Sequence, residues 1–199
     1  MRNTFLGIAA FISLVLGLLV ASVMLPRPID EQESQRLGFY LFDTPRLISD
    51  FSMTDHLGNT ANLELLKGHW SLIFFGFTTC PDICPTTLSV LADAVRGIPD
   101  PPMIIMVSVD PERDTPEVLS QYVPAFDKTF IGITGSFDET VKLAEQLNVA
   151  FGKVPGYEPG SYLVDHSASL ILINPEGKYA GFIKAPHNAQ NIQRIVSSL

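Results

Sequence analysis

Two short, unbroken apolar runs constrain the fold more than any other feature of the chain: Ser71 to Phe77 (SLIFFGF) and Met103 to Val109 (MIIMVSV). Runs of this length without polar alternation suit strands buried on both faces, as at the centre of a helix-covered sheet. Between them, Leu88, Leu91, Ala92 and Val95 recur at helical spacing within Pro85 to Ile98, so strand, helix and strand follow in order as a βαβ unit. Around this unit the same alternation continues. Phe51 to Thr54 and Thr60 to Leu63 flank a turn at His56-Leu57-Gly58-Asn59, and helices over Pro116 to Phe126 and Phe137 to Val149 bracket a short strand at Phe130 to Thr134. Ser169 to Asn174 and Tyr179 to Ile183 form a hairpin about Pro175-Glu176-Gly177, and Ala189 to Leu199 closes the chain as a helix. The expected class is α/β, a central sheet flanked by helices.

Upstream of this domain, Phe5 to Leu25 runs for 21 residues without a charge. At ~1.5 Å per helical residue that matches the roughly 30 Å core of a bilayer, which predicts a single transmembrane helix. A cleaved signal peptide is the competing reading, but its apolar run is expected to be only ~7–15 residues long. Pro26 to Ser49 turns polar and irregular and reads as a tether, with the apolar cluster Phe39 to Phe42 at its far end able to pack on the domain. The expected organisation is an anchor over 1–25, a tether over 26–49 and one domain over 50–199. Basic residues on both sides of the apolar run leave the orientation open.

The formal charge of −8 argues against a nucleic-acid partner, because phosphate binding depends on clustered Lys and Arg. The chain has only two cysteines, Cys80 and Cys84, too few for a disulfide framework and close enough together to act as one chemical unit. Cys80 follows the first central strand and Cys84 precedes a helix with Pro85 in its first turn. The partial positive charge of that helix end favours thiolates, which are both nucleophiles and soft-metal ligands. Spacing alone does not separate redox from metal chemistry.

Two thiolates with one imidazole would make a trigonal site acceptable to copper. Of the four histidines, His56, His69 and His187 read as loop residues. His166, in Val164-Asp165-His166-Ser167 just before an apolar strand, stands where a rigid scaffold can aim a side chain; a structural histidine bonded to Asp165 is the alternative. Asp110 ends the second central strand, its carboxylate placed either for a role at the rim of the site or for a structural one, while Asp114 reads as structural and Arg113 as neutralising its acidic neighbours. Thr115-Pro116-Glu117 carries the marks of a helix start.

The run Phe75-Gly76-Phe77-Thr78-Thr79-Cys80-Pro81-Asp82-Ile83-Cys84-Pro85 resembles the signature of the Sco/SenC family of copper proteins that assist assembly of cytochrome c oxidase. Asp110-Pro111-Glu112-Arg113-Asp114-Thr115 and Val164-Asp165-His166-Ser167 agree with it in order. The resemblance covers about residues 50 to 199. It implies a thioredoxin-like fold with a central mixed sheet, preceded by the transmembrane helix, and copper held by Cys80, Cys84 and His166. It further implies a bacterial inner-membrane protein with its domain in the periplasm. The implied partner is the copper-bearing oxidase subunit or another copper chaperone, served either by copper delivery or by reduction of that subunit's cysteines through the Cys80/Cys84 dithiol.

Overall fold

The computed structural model describes Ile8 and residues 11–19, 27–158 and 160–199. In chain order the domain runs α1 (Glu31–Leu37), β1 (Phe39–Arg46), β2 (Met53–Asp55), β3 (Thr60–Ala61), β4 (Ser71–Gly76), α2 (Ile83–Val95) and β5 (Met103–Ser108). It continues α3 (Pro116–Tyr122), β6 (Ile131–Thr134), α4 (Phe137–Gln146), β7 (Phe151–Pro155), β8 (Tyr162–His166), β9 (Leu170–Ile173), β10 (Tyr179–Ile183) and α5 (Ala189–Val196). Short 3-10 turns occupy Leu63–Leu66 and Val123–Ala125.

Eight strands form one mixed sheet in the order β1-β10-β9-β4-β5-β6-β2-β3. The two apolar runs are its centre: β4 and β5 pair in parallel from Ser71 opposite Met103 to Gly76 opposite Ser108, and all six residues of β4 are buried. β6 extends the parallel part, whereas β9, β10 and β1 follow antiparallel on the other side of β4. This is the expected α/β arrangement, a mixed sheet with flanking helices. Among the helices, α2 packs on α5 and α3 on β6.

Local chemistry starts the helices where expected. The Thr115 side chain accepts from the Val118 N–H with Pro116 opening α3, and Asp30, Ser136 and Asn188 cap α1, α4 and α5 in the same way. Gly38, at φ +65°, ends α1 in the left-handed region that glycine occupies at no steric cost.

Ordered structure begins upstream of residue 50. The stretch read as a tether carries α1 and β1, and β1 lengthens the sheet by setting Phe39 opposite Ile183 and Leu41 opposite Gly181. Arg194 of α5 grips it with two N–H groups at 2.9 and 3.0 Å from the Glu33 carboxylate and a third at 2.9 Å from the Arg27 carbonyl. The expected packing of the Phe39 to Phe42 cluster on the domain is met within β1, while the strand pairing itself draws on the open edge of β10 rather than on a hydrophobic pattern of its own.

A second difference is the hairpin of β7 and β8, a separate two-stranded sheet with Phe151 opposite His166 and Pro155 opposite Tyr162. The apolar segment 5–25 lies largely outside the described residues. Its described stretch 11–19 is helical, and Phe11, Leu14, Leu16 and Leu18 there are exposed. Among the described residues no helix is long and apolar enough to cross a membrane.

Candidate metal centre

The carboxyl end of β4 delivers the chain into a turn, where the Cys80 N–H bonds the Phe77 carbonyl at 3.3 Å, and then into α2. Cys84 occupies the second position of α2 and is fully buried, while Cys80 is half-buried; both are free thiols. Asp82 precedes α2 without making a side-chain cap. The Cys80 sulfur takes that role, accepting from the Cys84 N–H at 3.5 Å.

His166 ends β8, and its ring meets the edges of Phe74 and Phe77 at centroid distances of 5.8 and 6.0 Å. Its Nε2 stands 3.4 Å from the Cys84 sulfur, and its Nδ1 is 3.2 Å from the Ser167 carbonyl. A carbonyl only accepts, so Nδ1 carries the proton and Nε2 turns a lone pair towards the sulfur. Burial pushes the His166 pKa down, against weaker opposing effects of the Ser167 carbonyl and the Asp165 charge, and this favours the neutral ring that a metal requires.

At Cys84 burial opposes the helix end that favours a thiolate. Burial pushes its thiol well up, the Cys80 sulfur and the Asp114 charge add to the effect, and a backbone hydrogen bond from Phe77 only partly opposes it. Desolvation outweighs the helix end because the sulfur has no contact with water. Among the described residues no three His, Cys, Asp or Glu side chains stand ready-made around a metal position.

The three other histidines do not join the site. His56 Nδ1 accepts from the Gly132 N–H, and the His187 Nε2–H donates to the Ala168 carbonyl. His69 Nε2 is buried without a partner.

Asp110 and Asp114, in the loop after β5, are both buried and serve as brackets. Asp114 accepts from the Thr78 N–H at 3.1 Å, the Thr78 hydroxyl at 2.6 Å and the Ser108 hydroxyl at 2.7 Å, fixing the start of the cysteine loop. Asp110 accepts from Arg113 Nε and from the Tyr162 hydroxyl at 2.9 Å. Residue-type reasoning did not find Tyr162, Gly76 or Tyr122. Gly76 lies so close to the site that a β-carbon there would sit 3.2 Å from the Cys84 sulfur, and the buried Tyr122 hydroxyl, without a partner, lies within the electrostatic reach of both cysteines. Tyr162, Val164 and His166 share one face of β8, but the consecutive apolar residues Tyr162-Leu163-Val164 give no period-two pattern that marks it in the sequence.

The family model described as SCO1/SenC matches residues 42–199. The chain belongs to the SCO1/SenC family. An SCO2-like protein of Rickettsia typhi is 34% identical over 185 residues, covering 90% of each chain. Mammalian relatives named as mitochondrial are longer, and the chain spans 58% of the mouse protein and 56% of the bovine one. Arabidopsis thaliana ScoI, solved with copper bound, superposes with a TM-score of 0.70 at 35% identity, covering 75% of this chain and 94% of its own. BsSco, described as a member of the Sco family of cytochrome c oxidase assembly proteins with a disulfide switch, superposes with a TM-score of 0.62 at 25% identity, covering 79% and 96%. The mixed sheet and its helices are thus those of Sco proteins.

Proposed function

We propose that this protein binds copper through Cys80, Cys84 and His166 and serves assembly of the copper-bearing site of cytochrome c oxidase. The observation that carries the reading is the 3.4 Å approach of His166 Nε2 to the Cys84 sulfur, with the Cys80 sulfur on the adjoining N–H of α2. Two soft sulfurs and an imidazole suit copper, and the copper-bound state of Arabidopsis ScoI supports the same cargo here. Capture of the ion displaces the Cys84 thiol proton, while the Ser167 carbonyl keeps the other ring proton away from the metal side of His166.

Copper is cargo in this reading, taken up and passed to the oxidase subunit or to another copper chaperone. The apolar run at 5–25 would anchor the protein in the bacterial inner membrane, the domain standing in the periplasm; the length of that run and the family membership support this.

A second reading, reduction of the cysteines of the oxidase copper site, draws support from the half-buried free thiol of Cys80 and from the disulfide switch described for BsSco. Cys80 would attack the partner's disulfide and Cys84 would resolve the mixed disulfide, leaving Cys80 and Cys84 oxidised and two partner thiols reduced.

The test is anaerobic titration of the reduced protein with Cu(I) against a competing chelator. One ion per chain is expected, with affinity lost in Cys84→Ser and at least ~10-fold weaker in His166→Ala. Equal affinity in His166→Ala would remove that residue from the site.

A further inference from the structure

His166 is borne by a hairpin that lies outside the main sheet, so its distance from the sulfurs is set by whatever fastens β7 and β8 to the domain. Part of that fastening comes from the loop after β5, beside the contact of the Phe151 ring with Phe137. The Tyr162 hydroxyl donates to Asp110 at 2.9 Å, Arg113 Nη1 donates to the Tyr162 carbonyl at 3.2 Å, and the guanidinium lies 4.0 Å from the centre of the Tyr162 ring. On the other strand, Lys153 pairs with Glu112 at 2.7 Å, its ammonium 4.4 Å from the same ring.

The Asp110 side chain is fully buried, and Arg113 and the Tyr162 hydroxyl are the partners that satisfy it. An arrangement of this kind is weak evidence for stability, but it has one geometry, since moving the hairpin would leave a buried carboxylate short of partners. The same loop holds the cysteine side as well, because Asp114 takes both donors of Thr78, two residues before Cys80. Arg113 also lies 5.8 Å from the Phe77 ring, whose edge meets His166. One five-residue loop therefore grips both halves of the candidate site.

Building on the copper reading above, we propose that Arg113 and Tyr162 form a latch that positions His166 against the sulfur pair. Neither touches the ion. The guanidinium and the phenol hold β8 at its far end, so the imidazole arrives at one distance from Cys84 rather than over a range of them. A donor that arrives already placed binds more tightly than one the metal must recruit.

The test uses the full chain in detergent, reduced and anaerobic, with Arg113→Lys, which keeps the charge but not the fork, and Tyr162→Phe, which keeps the ring but not the hydroxyl. Each is expected to weaken Cu(I) binding ~10-fold, and in the Cu(II) form to diminish the single-nitrogen hyperfine signature that His166→Ala abolishes. In the His166→Ala background neither change is expected to weaken binding further. A full additional ~10-fold loss in that background, or undiminished affinity and nitrogen signature in both single variants, would overturn the latch. Failure of the unaltered protein to take up copper would instead overturn the reading on which the latch rests.

Discussion

Adding a single methyl group at Gly76 tests the metal centre from inside the sheet. A β-carbon there would lie 2.6 Å from Cε1 of Phe74 and 3.2 Å from the Cys84 sulfur, whereas relaxed carbon contacts stand at ~3.5–4.0 Å. Phe74, on the strand between β5 and β9, is fully buried, so about 1 Å of overlap must be shared between its ring and the sulfur. Overpacking of this size costs about 1–3 kcal/mol, which lowers the melting midpoint of a chain of this length by roughly 2–12 °C. The functional effect is expected to be larger. Phe74 meets the edge of His166 and Cys84 is itself a proposed ligand, so one methyl displaces both donors from a site that tolerates about 0.5 Å. Copper affinity of Gly76→Ala, measured by chelator competition on the reduced protein, is expected to fall ~10- to 100-fold. A variant that melts within about 1 °C of the parent and binds copper within about twofold would refute this account of the packing.

Two more expectations concern the scaffold. In Gly181→Ala the new β-carbon would fall on the backbone carbonyl of Tyr40, which cannot turn aside, so β1 should separate from β10 and uncover Phe39; the cost is about 2–4 kcal/mol, read as a midpoint lower by roughly 4–16 °C, and an unchanged midpoint would mean that β1 is dispensable. Asp114 titrates above the ordinary value of 3.8 because burial penalises its charge, so the folded chain keeps a proton that the unfolded chain has already released. Its stabilising contribution is complete below the ordinary value and is lost as pH rises through the folded pKa. Relative to Asp114→Asn, the parent should lose stability across that window; parallel melting profiles against pH would contradict the assignment.

Much of the architecture was legible from residue order alone. SLIFFGF and MIIMVSV could hardly be anything but buried strands, since unbroken apolar runs leave no face for water, and β4 and β5 duly form the centre of the sheet. Thr115-Pro116 announced α3, because a capping signal lies within a residue or two of the helix it starts. The state of the two cysteines was another matter. A helix end near Cys84 is visible in the chain order, but the burial that overrides it comes from strands and helices far away in sequence. The meeting of His166 with Cys84 across 82 positions, the latch of Arg113 on Tyr162 and the closure of β1 onto β10 likewise belong to tertiary structure. Such contacts depend on where distant segments are brought to rest, and a local pattern carries only the inclination of each segment, not the company it finally keeps.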